Sequence, residues 1–257
     1  MTEIAAHRGG AHLWPENSRI AFENTARMAV EQVEFDVHPT RDGRLVVIHD
    51  PTLDRTTTGS GPVASHDWSE LARLRLKDAA NERILLLEEV IEIFRPTPII
   101  LRLEIKCDAQ GKPYSDLPER VADVLVRGGV SARTVVTSFQ LDTVATAMRA
   151  AQPRAGVWLL TPTVLRDIGG IDAALLLAAR QSIPVLGIHH AALDGEMVAR
   201  ARDAGVGIGG WGCHTIETMT PMFVLGVDIF TTDRPDLALA LRAGHHKAGE
   251  ILEESRQ

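Results

Sequence analysis

Eight short aliphatic runs, separated by amphipathic stretches, constrain this sequence more than any other feature. Residues 4–6, 33–37, 99–105, 135–139, 156–160, 185–188, 206–210 and 229–232 are rich in β-branched and aliphatic side chains, as strands are. Between them lie helical patterns such as residues 20–30, where Phe22, Ala26, Ala29 and Val30 share one helical face. Eight strands each followed by a helix, in a chain of 257 residues, is the count of an α/β protein of the (β/α)8 TIM-barrel class. A doubly wound open sheet is the alternative, but no glycine-rich dinucleotide fingerprint follows the first strand. No repeat, low-complexity tract or linker interrupts the pattern, so one barrel domain over residues 1–257 is expected.

Composition narrows the function classes. The 27 Lys and Arg against 34 Asp and Glu give a formal net charge of -7, and no basic stripe offers a nucleic-acid surface. The longest apolar run, residues 173–179, falls far short of the roughly 18 residues that a membrane span needs. No stable membrane association is expected. The N-terminus shows no basic segment followed by an apolar one, so no secretion signal is read there. The two cysteines, Cys107 and Cys213, lie far apart without CxxC spacing, which suits a thiol-reducing, cytoplasmic setting.

One departure from regular βα alternation is informative. After residues 33–37 comes Thr40-Arg41-Asp42-Gly43-Arg44 and then a further strand-like run, residues 45–48. Asp-Gly between two such runs signals a tight hairpin. With Asp42 and Gly43 as the two turn residues, Arg41 pairs with Arg44 and His49 falls opposite Asp36. The second strand thus overshoots the barrel, folds back and delivers His49 to its mouth. Residues 51–83, including Thr56-Thr57-Thr58-Gly59, read as a small insertion after this hairpin.

Strand alternation then sorts the chemistry. Glu34, Asp36 and His38 share one face of the second strand, and Arg102, Glu104 and Lys106 share one face of the third, with aliphatic residues on the backs. Charges on strands covered on both sides are costly unless paired or metal-bound. Late-strand positions also form the active-site mouth of a barrel. Pairing of Glu104 with Lys106 as a structural ion pair is the plain alternative. Glu34, Asp36 and Glu104 make an all-oxygen ligand set, suited to Mg2+ or Ca2+. Adding His7 and His49 as ligands would convert it to a transition-metal site. Arg8 offers a planar fork for phosphate oxygens, and histidines titrate near neutral pH, as proton transfer needs.

At this point a family resemblance emerges. His7-Arg8-Gly9, then Pro15-Glu16-Asn17-Ser18 and Ala21-Phe22, resembles the opening signature of the glycerophosphodiester phosphodiesterases. The likeness continues through Glu34-Phe35-Asp36-Val37, Asp42-Gly43, His49-Asp50 and Arg55-Thr56-Thr57. It resumes at Leu87-Glu88-Glu89-Val90, Glu104-Ile105-Lys106, Ser138-Phe139, Trp211 and Thr232-Asp233-Arg234-Pro235. The ordered set is specific, whereas any one piece alone is weak. The resemblance implies a barrel that hydrolyses a small-molecule phosphodiester such as glycerophosphocholine to glycerol 3-phosphate and an alcohol. It implies Glu34, Asp36 and Glu104 as ligands of one divalent cation, His7 and His49 as the acid–base pair, and Arg8 and Lys106 as phosphate contacts. Three carboxylates, a divalent cation, a phosphodiester anion and those two cationic side chains balance to zero, so activity should require the cation.

Other positions carry lesser expectations. Asn17 reads as a helix N-cap, with a substrate contact as the alternative, Glu16 as a substrate- or phosphate-binding residue near the mouth, with a surface role as the alternative, and Asp50 as a turn residue able to orient His49. Of His189 and His190, His190 is expected to turn inward as a substrate contact. Trp211 is expected to form a pocket wall. His245 and His246 read as solvated, on a polar frayed helix running from His246. The chain also departs from the family pattern: His214 stands where an asparagine is usual, and Ile84-Leu85-Leu86 replaces Ile-Pro-Thr. A non-catalytic barrel binding a phosphorylated metabolite, a barrel metallohydrolase with histidine ligands, and a phosphodiesterase for another diester, such as a sugar phosphodiester, are the rival readings.

Overall fold

The computed structural model describes residues 1–79 and 81–254, with the side chains of 245–254 outside that description, and the expectations for His245 and His246 with them. Ten strands follow in order: β1 (Glu3–Ala6), β2 (Gln32–Pro39), β3 (Leu45–Val47), β4 (Leu85–Leu86), β5 (Ile100–Ile105), β6 (Thr134–Ser138), β7 (Ala155–Leu160), β8 (Val185–His189), β9 (Gly207–Trp211) and β10 (Ile229–Thr232). The eight expected strands are all present, with ends displaced by at most two residues. β1, β2 and β5 to β10 pair in parallel, and the β1–β2 pairing closes them into a ring with helices between. This is a (β/α)8 TIM barrel.

Alternation builds two apolar layers. Val33, Phe35 and Val37 of β2 and Leu101, Leu103 and Ile105 of β5 turn outward and pack with Phe22, Val90 and Phe94 of the helices. Each such fully buried side chain contributes about 1.5–3 kcal/mol. Inside the ring, Val135, Val157 and Leu159 form a small apolar cluster centred on β6 and β7. On the β2–β5 side the inward positions carry Gln32, Glu34, Asp36, His38, Arg102 and Glu104, all buried.

The first helix ends earlier than its apolar period suggests, running Arg19–Thr25. Past Thr25, three-residue bonds from Arg27 N to Asn24 O and from Met28 N to Thr25 O tighten the chain, and the Thr25 hydroxyl donates instead to Gly9 O at 2.8 Å. Its N-cap is Ser18, whose Oγ accepts from Ala21 N at 3.2 Å. Asn17 therefore does not cap; it takes a left-handed conformation at φ 54° and sends its side chain elsewhere.

The hairpin excursion exists, in a different register. Val37 pairs with Val47, His38 with Val46 and Pro39 with Leu45, which sets Ile48 rather than His49 opposite Asp36. The turn holds three residues, Arg41 to Gly43, not two. Thr40 Oγ1 accepts from Arg44 N at 2.8 Å and Gly43 takes φ 85°, the form of a three-residue hairpin that ends in a left-handed glycine. β4 then adds to β3. The segment after β3 folds over its own apolar cluster of Val46, Ile48, Leu53, Val63, Leu71, Ile84 and neighbours, distinct from the barrel layers.

Candidate active site

A cavity of about 280 Å3 opens at the carboxyl ends of the barrel strands, and its lining includes His7, Arg8, Glu34, His49, Glu104, Lys106 and Trp211. Asp36 lies immediately beneath, fully buried. Glu34, Asp36 and Glu104 each present a carboxylate oxygen within 4.8 Å of the others. Burial and repulsion from Asp36 push Glu34 up to about 7. Asp36 is held well below the usual carboxylate range; burial opposes this, but the electrostatic pull of its neighbours, Lys106 foremost with Arg8, outweighs it. Lys106 Nζ donates to Glu104 Oε1 at 2.8 Å and stands 3.3 Å from Asp36 Oδ1. The plain ion pair is thus present, and the same ammonium lines the cavity.

His7 and Arg8 follow β1 in a tight turn. Arg8 adopts a left-handed φ of 49°, and Gly9 and Gly10 follow at 77° and 90°. A Cβ at Gly9 would meet the Ala21 Cβ at 3.0 Å, so glycine is required there. The strained Arg8 conformation aims its backbone N–H at Glu34 Oε2, 3.0 Å away. Its guanidinium donates to Glu16 Oε1 at 3.1 Å and lies 3.6 Å from Asp36 Oδ2. Glu16 does not line the cavity; it joins Arg8 to Arg55, which also grips Asp50.

The two histidines are held alike. His7 Nδ1 lies 2.5 Å from Asp233 Oδ1, and His49 Nδ1 lies 2.7 Å from Asp50 Oδ1. A carboxylate at Nδ1 fixes the proton there and leaves Nε2 facing outward from each pair. Burial disfavours a charge on His7, but Glu34 and Asp233 outweigh it and raise its pKa. His49 reaches the mouth because the chain leaves β3 after Val47, not because of a strand register. Its carbonyl accepts from His38 Nε2 at 3.1 Å, and His38 Nδ1 then accepts from the Tyr114 hydroxyl at 3.2 Å. Burial lowers His38 to about 4, so it stays neutral with both nitrogens used.

His190 does not line the cavity; His189 does. The parity of β8 decides this, because Val185 packs on the inner cluster and Leu186 and Ile188 on the outer layer, so residues 185, 187 and 189 face inward. Trp211 stands beside His189, ring centroids 4.5 Å apart, and beside Phe139 at 5.4 Å. It forms a wall and also packs on the inner cluster.

Sequence reasoning gave no site role to Asp233 or His38, and favoured a cap over a site role for Asn17. Asn17 Nδ2 donates to Asp36 Oδ2 at 3.0 Å, and its own Oδ1 is buried without a hydrogen bond. Asp233 was legible as an acidic residue directly after the last strand, a mouth position in any barrel. The left-handed turn at Asn17 has no comparable signal. Beside the buried Asn17 Oδ1, Asp36 Oδ1 and Arg8 Nε also lack hydrogen bonds, a pattern expected where a ligand completes the site.

Residues 7–237 match the model of the glycerophosphoryl diester phosphodiesterase family. A glycerophosphodiester phosphodiesterase of Bacillus altitudinis is 31% identical over 252 residues, 94% of this chain and 98% of that one. A crystal structure from Agrobacterium tumefaciens superposes with a TM-score of 0.92 at 36% identity, covering 96% of this chain and 99% of that one. The barrel also matches, at 22% identity and a TM-score of 0.77, an Oleispira antarctica phosphodiesterase in complex with the product sn-glycerol-3-phosphate, over 93% of this chain and 96% of that one.

Proposed function

Because the chain belongs to the glycerophosphoryl diester phosphodiesterase family, we propose that it hydrolyses glycerophosphodiesters to glycerol 3-phosphate and an alcohol. The observation that carries this reading is the placing of two carboxylate-held histidines, His7 and His49, on one 280 Å3 cavity with three buried carboxylates, an arginine and a lysine.

Glu34, Asp36 and Glu104 would hold one divalent cation, Mg2+ or Ca2+. The buried Asp36 Oδ1 without a hydrogen bond and the raised Glu34 both support a cation among these oxygens. When bound, the cation polarises a non-bridging phosphoryl oxygen and offsets the carboxylate charge that would repel an anionic substrate. Arg8 and Lys106 contact the remaining phosphate oxygens, with Glu16 steadying Arg8. Trp211 walls the alcohol or glycerol portion, joined by His189 in the place expected of His190.

Proton transfer falls to the two histidines. One Nε2 takes the proton from the attacking hydroxyl, either water or the substrate's neighbouring hydroxyl; in the second case a cyclic phosphate forms, which water then opens to glycerol 3-phosphate. The other gives a proton to the departing alkoxide. Asp233 and Asp50 keep each ring in the tautomer this requires and stabilise the imidazolium that forms. The free thiols Cys107 and Cys213 suit a reducing cytoplasmic setting, and no helix among the described residues is long and apolar enough to cross a membrane.

A release assay on a panel of glycerophosphodiesters, with and without EDTA, tests the reading. Glycerol 3-phosphate should appear only with the cation present. Full activity in EDTA, or a diester that binds but is never cleaved in any divalent metal, would overturn it.

A further inference from the structure

Beside the acidic triad, three histidines converge on one carboxylate. Asp233 Oδ1 lies 2.5 Å from His7 Nδ1, while Oδ2 lies 3.1 Å from His214 Nδ1 and 3.3 Å from His12 Nε2. The His214 ring stands 5.6 Å from that of His7 and 5.7 Å from that of His12. One ligand atom each from His7, His214 and Asp233 lie within 4.8 Å of one another.

The hydrogen bonding within this cluster is incomplete in a way that a cation would relieve. The Asp233 backbone N–H donates to His214 Nδ1 at 3.1 Å, so that nitrogen is unprotonated and has no proton for Oδ2; a cation bound there would take the lone pair in exchange for this N–H. Two acceptors therefore face each other 3.1 Å apart. Ligands of a tetrahedral Zn2+ with bonds of about 2.0–2.1 Å stand ~3.3 Å apart, close to the spacings around Oδ2. The donor set also differs in kind from the triad. Imidazole nitrogens with one carboxylate favour Zn2+ and its neighbours, whereas an all-oxygen set favours Mg2+ or Ca2+.

We infer that His7, His214 and Asp233, with His12 on the open side, form a second cation site for a borderline transition ion such as Zn2+. Its occupancy ties up His7 and so inhibits the reaction that the first cation supports. The inhibition rests on the function proposed above; the binding site does not. His214 supplies the ligand that makes the site possible.

Metal-stripped protein, dialysed against Zn2+ in excess Mg2+, tests the site directly. One Zn2+ per chain should be retained by the parent and by Glu104→Gln. His214→Asn should weaken it by more than the roughly 10- to 100-fold that loss of an outer-shell partner costs. Co2+ in place of Zn2+ should give the intense visible absorption of a tetrahedral site in the parent and lose it in His214→Asn, whose metal-free melting temperature checks its folding. Zn2+ retention unchanged by His214→Asn, or abolished by Glu104→Gln, would overturn the assignment. In the assay, Zn2+ should suppress Mg2+-supported glycerol 3-phosphate release by the parent at concentrations that His12→Ala tolerates. If no release occurs in any metal, the functional reading fails while the Zn2+ count still decides this site.

Discussion

The barrel has two open ends, and the larger cavity is not the one that holds the chemistry. At the amino ends of the strands lies a space of about 640 Å3 that includes Glu3, Gln32, Arg102, Arg154, Asp228 and Arg242 in its lining, more than twice the volume at the other mouth. Its polar groups are largely spent on the scaffold. Gln32 donates to Glu3, Asp228 accepts from Ile208 N, and Arg242 grips Glu31. None of the buried side-chain atoms lacking a hydrogen bond, among the described residues, belongs to its lining; Arg8, Asn17, Asp36 and Trp211 carry such atoms at or just beneath the other end. Between these two cavities, unfinished hydrogen bonding rather than volume marks the site. Arg102 reaches both cavities, nearly buried and lowered to about 10 by the burial.

This contrast can be broken by experiment. Removing the cation with EDTA should have the largest effect. Losing several kcal/mol of charge stabilisation at the upper mouth corresponds to at least about 10^3-fold in glycerol 3-phosphate release. His7→Ala and His49→Ala should each cost roughly 10^2- to 10^4-fold in kcat with the fold intact by circular dichroism; an active His49→Ala enzyme would remove the excursion from the mechanism. Next comes a pH effect on stability. His38 titrates near 4 in the folded protein and about 6.5 unfolded, so the unfolded chain binds more protons between those values. Its contribution is full above about 6.5 and is lost as pH falls toward 4, up to ~3 kcal/mol. Urea titrations in EDTA should show that loss in the parent and a shallower one in His38→Gln. The smallest effect belongs to the lower end. Arg154→Ala should leave kcat/KM unchanged and stability within about 0.5 kcal/mol. A substantial loss of turnover there would mean that the lower cavity takes part in the reaction.

The sequence made the barrel legible because buried strands leave continuous aliphatic runs, and made the triad legible because two-residue alternation places Glu34 with Asp36 and Arg102 with Glu104 and Lys106. Where parity had to be set from outside the strand, it failed. His189 and His190 are adjacent, and only the packing of Val185 inside the ring chooses between them. The hairpin register slipped by one residue because Thr40 and Gly43 make a three-residue turn from a sequence that also suits two. His49 nonetheless lies on the expected cavity, by a route that alternation does not describe. Asn17 was unreadable for a related reason: its neighbour Ser18 took the cap, and a left-handed backbone re-aimed the amide at Asp36.

The separate apolar cluster beneath the hairpin has a consequence for how the protein loses activity on heating. His7 rides on the barrel wall, whereas His49 belongs to a segment whose core of Ile48, Leu53, Leu71 and Ile84 is its own. Its ties to the ring include three β2–β3 residue pairs, the His38–His49 hydrogen bond, the Glu16–Arg55–Asp50 bridge and the Glu82 carboxylate at the start of the first helix. Segments so arranged open as cooperative units at lower free energy than the whole. Warming should therefore yield a population in which the ring persists, exchange-protected, while the flap carrying one histidine has come away. Inactivation would then precede melting and reverse on cooling, which makes this barrel's working temperature a property of its appendage.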